Sequence, residues 1–154
     1  YEIWTMQSHY HNVVNFGDVQ QLPGEQYRAE VREVVLEEKR AGITMELSHA
    51  YPDGTVGSYL RRVDFEKESA ITITDTLSEI PEGSCLTLMT LGEPVWDGSA
   101  LSIGDAGSLK IQADGQVAIE EILLQDEKLR GEWGDRVYRT RVYFGSVPQI
   151  VVTM

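Results

Sequence analysis

The chain has 154 residues, a length that supports one domain around one hydrophobic core. Its 13 Lys and Arg stand against 25 Asp and Glu, a net charge of −12 that repels phosphate backbones and anionic lipid alike, so neither a nucleic acid nor a membrane is expected as partner. At 42% hydrophobic and 25% charged the composition is that of a folded domain, no apolar run approaches the ~20 residues that cross a bilayer, and the single cysteine, Cys85, cannot close an intrachain disulfide.

The chain opens on Tyr1-Glu2-Ile3-Trp4, without a charged n-region or an apolar h-region, so no signal peptide is read and the cytoplasm is the expected compartment. A start inside an aromatic, strand-like stretch points to a domain of a longer protein. Strand signals then dominate. Lys39-Arg40-Ala41-Gly42 reads as a turn between Tyr27–Glu38 and Ile43–Leu47, a hairpin with Ile43, Met45 and Leu47 on a buried face. Tyr59–Phe65 places Tyr59, Arg61, Val63 and Phe65 on one side and pairs with an alternating Ile71–Asp75 as a second hairpin. Ser84–Leu91 is apolar on both faces, which predicts a strand in mid-sheet with Leu86 and Leu88 buried.

Further short strands are predicted at Ala100–Ile103, Leu109–Gln112, Val117–Leu124, Val137–Tyr143 and Gln149–Thr153, separated by turns at Asp97-Gly98, Gly104-Asp105, Asp114-Gly115 and Gly145–Pro148. Only Gln125–Arg130 reads as a short helical turn. About ten strands with turn signals every ~8–12 residues predict an all-β, antiparallel β-sandwich of two sheets, with residues 1–154 as a single domain.

Little in the chain has the spacing of a catalytic motif. His9 and His11 flank Tyr10, and in a strand an H-x-H pair would point both imidazoles to one face, as zinc ligands often do. A complete site needs three or four ligands, and His49 stands alone. The adjacent acids Glu37-Glu38, Glu120-Glu121 and Asp126-Glu127 read as solvated surface in so acidic a chain. No G-x-S-x-G elbow and no phosphate loop is present. Arg61, Arg139 and Arg141 could offer forks to uronate carboxylates, or neutralise Asp and Glu across strands. Trp4, Trp96 and Trp133, with Tyr10, Tyr51 and Tyr59, are either sugar-stacking faces or core.

From His11-Asn12 through Gly17 to Gln20-Gln21 the chain resembles the C-terminal β-sandwich domain of the heparinase II/III-like polysaccharide lyases. Tyr59-Leu60-Arg61-Arg62-Val63 is similar to that family's aromatic-x-Arg-x-Val strand, Ile71–Leu77 to its strand ending in Asp, and Trp133-Gly134-Asp135 through Tyr138-Arg139 to its late Trp-Gly-Asp-x-x-Tyr-Arg segment. The resemblance implies a C-terminal, non-catalytic part of a longer protein that cleaves uronic-acid-containing polysaccharide by β-elimination. In that reading an upstream α/α toroid carries the catalysis and is the partner domain, and the sandwich braces it and completes a cleft for an acidic polysaccharide such as a glycosaminoglycan.

The resemblance also implies zinc in the intact protein, with His11 matching the last metal ligand of a site whose other ligands lie upstream. No zinc is expected in this fragment alone. Arg61 and Tyr59 are the substrate-binding candidates, Tyr59 standing where Trp is common in the family, and no catalytic residue of this chain matches a family motif. An autonomous carbohydrate-binding module and a purely structural module remain the competing readings. A row of exposed aromatics would favour the first and a large bare apolar patch the second.

Overall fold

A computed structural model describes residues 3–154 and shows two antiparallel sheets stacked as a sandwich. The strands in chain order are β1 (Val14–Phe16), β2 (Glu30–Leu36), β3 (Arg40–Glu46), β4 (Tyr59–Glu66), β5 (Ala70–Leu77), β6 (Ser84–Thr90), β7 (Pro94–Trp96), β8 (Ala100–Ile103), β9 (Ser108–Gln112), β10 (Val117–Leu123), β11 (Arg136–Tyr143) and β12 (Gln149–Thr153). A short helix, α1 (Glu127–Trp133), links β10 to β11. Its N-terminus is capped by Asp126, whose carboxylate accepts from the Lys128 and Leu129 amides.

The small sheet runs β1-β6-β11-β10 and the large one β2-β3-β4-β5-β12-β9-β8-β7. As expected from its two apolar faces, β6 lies inside its sheet, between β1 and β11. The β10–β11 hairpin needs glycine at its mouth: a Cβ on Gly115 would stand 2.0 Å from the Tyr143 carbonyl oxygen.

Val14, Phe16, Leu86 and Val142 of the small sheet meet Tyr59, Leu77, Ile111, Ile150 and Val152 of the large one in a single core. Within it Phe16 makes edge-to-face contacts with Tyr51 and Tyr59, at 4.9 and 6.1 Å between centroids.

The large sheet overhangs the small one. Val34, Ile43, Val63, Ile73, Val152 and Ile111 are successive cross-strand partners from β2 to β9, so all six point toward the same face. Val152 and Ile111 are buried, Ile73, Val63 and Ile43 are half-buried, and Val34 is exposed, because the cover of the narrower sheet runs out across β3 and β2. The opposite face of the same strands is charged: Arg40 and Arg62 both bond Asp64, at 2.6 Å each, and Arg62 approaches Glu33.

Three sequence expectations change. The first hairpin turns earlier than Lys39–Gly42: β3 already begins at Arg40, and Gly42 sits inside the strand, where a Cβ would come within 3.2 Å of Asp64 Oδ1. Ile43 and Met45 are only half-buried, for the reason just given. Leu86 is buried but Leu88 is half-buried, being nearer the open end of the sandwich.

Candidate functional site

The segment ahead of β1 does not form a strand. Residues Trp4–Met6 and Ser8–Tyr10 are single 3-10 turns, and His11 caps the second in extended conformation. The two imidazoles of the H-x-H spacing therefore do not share a strand face. His9 Nε2 lies 3.0 Å from the Gly17 carbonyl oxygen, while His11 is exposed on the rim of a different cleft. His49 lies 3.3 Å from a Glu30 carboxylate oxygen. Among the described residues no three His, Cys, Asp or Glu side chains converge as metal ligands. His11 alone supplies one imidazole where zinc requires three or four donors, so the residues present do not make a zinc site.

Asn12, the other half of the His-Asn pair, is tied to both sheets. Its carbonyl oxygen accepts from Arg61 Nη1 at 2.7 Å and its Oδ1 accepts from the Met89 amide at 2.8 Å. The Arg61 guanidinium is otherwise held by Asp75, with Nε at 2.7 Å and Nη2 at 2.8 Å from the two carboxylate oxygens. Asp75 also accepts from the Tyr59 hydroxyl at 2.9 Å, and the Val14 amide donates to that hydroxyl at 3.3 Å. Tyr51 donates to the Val14 carbonyl. Burial pushes the Tyr51 and Tyr59 phenols well above their usual range, so both remain neutral donors.

This places the two substrate-binding candidates between the sheets. Tyr59 is fully buried and presents no ring face to a sugar, and Arg61 spends its fork on Asp75. The resemblance motifs Asn12, Tyr59-x-Arg61 and Asp75 are thus one polar network that ties the N-terminal segment to both sheets.

The exposed chemistry lies on the outer face of the small sheet, across which the N-terminal segment folds. One cleft of about 560 Å³ is lined by Trp4, Tyr10, Met89, Leu91, Trp133 and Val137, with His11 and Asn12 at its rim. Trp4 packs edge-to-face on Tyr10 at 4.8 Å, and the Arg139 guanidinium sits 4.6 Å from the Tyr10 centroid. Helix α1 delivers Trp133, which is 40% exposed.

Beyond Tyr10 and Arg139 lies a smaller, polar depression of about 250 Å³, lined by His9, Asn15, Thr87, Arg139, Arg141 and Tyr143, among others. Arg139 bonds Glu120, with Nε at 3.0 Å, whereas Arg141 reaches the same carboxylate only at 3.9 Å. Of the six aromatics singled out in the sequence, Trp4, Tyr10 and Trp133 converge on the cleft. Tyr51 and Tyr59 are core, and Trp96 packs against the core. Asn15, Met89 and Leu91 were not singled out. Asn15 alone carried a signal, a polar side chain between Val14 and Phe16.

The chain is a two-sheet antiparallel sandwich that carries an aromatic cleft beside Arg139 and Arg141 on the outer face of its small sheet. Solved structures narrow the fold. Heparinase III matches with a TM-score of 0.60 and 13% identity over 98% of this chain. Heparan sulfate lyase HepC from Pedobacter heparinus matches with a TM-score of 0.61 and 13% identity over 97% of it, and a mutant of that lyase at 0.60 and the same identity. The chain spans only 24% of the length of each of these proteins. At 13% identity the likeness establishes the fold and leaves activity open. No protein-family model and no curated protein matches the chain. Among the described residues no helix is long and apolar enough to cross a membrane.

Proposed function

We propose that this chain is the C-terminal, non-catalytic sandwich of a heparinase-like polysaccharide lyase, acting in an intact protein that cleaves uronic-acid-containing polysaccharide by β-elimination. It braces an upstream α/α toroid and helps to hold an acidic polysaccharide. The observation that carries the reading is the overhang of the large sheet. Val31, Val34, Leu36 and Phe65 are exposed at 59, 57, 81 and 42%, an apolar surface of the kind that a partner domain covers. The fold likeness over a 24% share of two longer proteins supports a partner that is the remainder of the same protein, which the resemblance in the sequence implies to be an α/α toroid.

The aromatic cleft supports the polysaccharide half of the reading. Trp133, 40% exposed, offers a ring for sugar stacking beside the Trp4–Tyr10 pair, and Arg139 and Arg141 lie alongside. With a net charge of −12 the chain as a whole repels a polyanion, so attraction must come from these local groups.

Affinity electrophoresis through gels carrying heparan sulfate, polygalacturonate or neutral dextran tests the cleft. Retardation by an acidic polymer that is lost in Trp133→Ala supports the reading. Retardation by dextran alone favours an autonomous binding module for neutral sugars. The docking surface is tested in the intact protein by limited proteolysis. Leu36→Asp should expose the junction to cleavage, and an unchanged digest would overturn the bracing role.

A further inference from the structure

We propose that the Asp53-Gly54 turn is the chain's site of spontaneous aspartate isomerisation, and that the fold shields its other Asp-Gly steps from the same reaction. The inference stands on local geometry and does not depend on the lyase reading.

In this reaction the backbone nitrogen of the following residue attacks the aspartate Cγ. A C–N bond forms, a carboxyl oxygen leaves as water, and a cyclic imide joins side chain to backbone. Water then opens either carbonyl of the imide. Opening at Cγ restores aspartate, whereas opening at the aspartate's backbone carbonyl leaves isoaspartate, with the chain running through the side-chain methylene. One water leaves and one returns, so the mass is unchanged and no co-reactant is needed. The step requires a carboxyl group free to swing onto the next amide and an amide nitrogen without an acceptor. It also requires a next residue with no side chain in the way, which is why glycine favours it.

The chain holds three Asp-Gly steps, Asp53-Gly54, Asp97-Gly98 and Asp114-Gly115. Two of them are tied. Asp97 Oδ1 accepts from the Ser99 amide at 2.8 Å, the Ser99 hydroxyl at 3.0 Å and the Ala100 amide at 2.7 Å. Asp114 Oδ1 accepts from the Gly145 amide at 3.1 Å. Its Oδ2 accepts from the Ser146 amide at 2.7 Å, the Ser146 hydroxyl at 2.6 Å and the Val147 amide at 3.0 Å. Gly115 is moreover pressed against the Tyr143 carbonyl, which leaves the backbone after Asp114 no room to turn.

Asp53 differs on each count. It is exposed, and among the described residues its carboxylate has no hydrogen-bond or ion-pair partner. The turn is closed by Thr55, whose amide and hydroxyl donate to the Pro52 carbonyl at 3.1 and 2.7 Å. Among the described residues the Gly54 amide has no acceptor. Beyond its chain neighbours, no atom lies within 4 Å of where a Cβ on Gly54 would stand. The tip is therefore open to the rotation that brings nitrogen and Cγ together. Tyr51 and Val56, 1% and 7% exposed, hold the turn from either side, so the step is at the surface of the folded chain and needs no unfolding.

Ageing the purified protein at physiological temperature, in buffer and in concentrated urea, tests the assignment. Trypsin separates the three steps into peptides 41–61, 68–110 and 111–128. Isoaspartate is read in each as a split chromatographic peak of unchanged mass, assigned by electron-transfer fragmentation. In buffer, peptide 41–61 should accumulate isoaspartate at least tenfold faster than either other peptide. Asp53→Glu, which closes the small imide ring poorly, should abolish the signal in that peptide and leave the thermal melt unchanged. In urea the three rates should converge, because the bonds on Asp97 and Asp114 are gone. Equal rates in buffer, or a lead of peptide 41–61 that persists undiminished in urea, would overturn the proposal.

Discussion

Arg61 and Asp75 face each other in register on β4 and β5 and join through both arms of the guanidinium, with 12% and 1% of their side chains exposed. The pair stands at the point where the core gives way to the open overhang. It anchors the N-terminal segment through Asn12 and orients the Tyr59 hydroxyl.

Removing one partner should be costly. Arg61→Met leaves Asp75 buried without its counter-charge and should destabilise the protein by about 3–5 kcal/mol. The double change Arg61→Met with Asp75→Leu should recover much of that loss, because a well-packed apolar pair needs no counter-charge. Urea unfolding of the two variants measures both terms. Equal losses in single and double variants would show that the pair serves chiefly to hold Asn12.

Leu86 and Leu88 separate by burial. Leu86→Ala should cost about 2–5 kcal/mol through lost transfer energy and an unfilled cavity. Leu88, half-buried beside a surface cleft, should cost distinctly less on truncation. Denaturant midpoints rank them. The reverse order would place the centre of the core at the other end of β6.

Glu46 makes the acid limb of stability. Burial alone would raise its carboxyl, but bonds from the Ser58 hydroxyl and the Tyr59 and Ser48 amides outweigh this and hold it at about 2, below an ordinary 4.5. A depressed folded value means stability that is fully present above the unfolded value and lost as pH falls toward the folded one. Wild type should therefore lose stability between about pH 4.5 and 2 more steeply than Glu46→Gln. Melting temperatures across that range test it, and parallel curves would refute it.

Zinc should bind this chain weakly. One exposed imidazole at His11 cannot offset the cost of dehydrating and ordering a metal site, and His9 lines another pocket. Micromolar zinc or a chelator should leave the melting temperature unchanged. Elemental analysis near one zinc per chain, lost in His11→Ala, would show a complete site.

The isolated chain should release no unsaturated product from heparan sulfate or polygalacturonate. A general base must reach the proton it removes. Burial raises the Tyr51 and Tyr59 phenols, His49 lies beside Glu30, His9 lies beside the Gly17 carbonyl, and His11 stands on the aromatic cleft with no carboxylate, lysine or arginine among the cleft's lining residues. Absorbance of the product follows the reaction, and turnover abolished by substituting any of these residues would overturn the expectation.

Local sequence determined the strands. The alternation in Tyr59–Phe65 and Ile71–Asp75, and the turn residues at Asp114-Gly115, place side chains on faces by the two-residue period of extended backbone, which needs no tertiary information. The helical turn was legible for the same reason, since Asp126 is a local N-cap. Short β1 and β7 carried too few residues for a period to show. Which of two faces is covered is a different matter. It depends on how wide the opposing sheet is, and only the tertiary structure could show that the small sheet stops short of β2 and leaves Val34 bare. The same holds for the site. Sequence spacing grouped His9 with His11 and offered Arg61 and Tyr59 to a ligand. The fold turned the segment into 3-10 turns, parted the imidazoles and used Arg61 and Tyr59 to satisfy buried polar groups. Trp4, Tyr10 and Trp133 are more than a hundred residues apart at the extremes, and no local pattern brings them together. Antiparallel pairing of β6 with β11 and the packing of the N-terminal segment across them do.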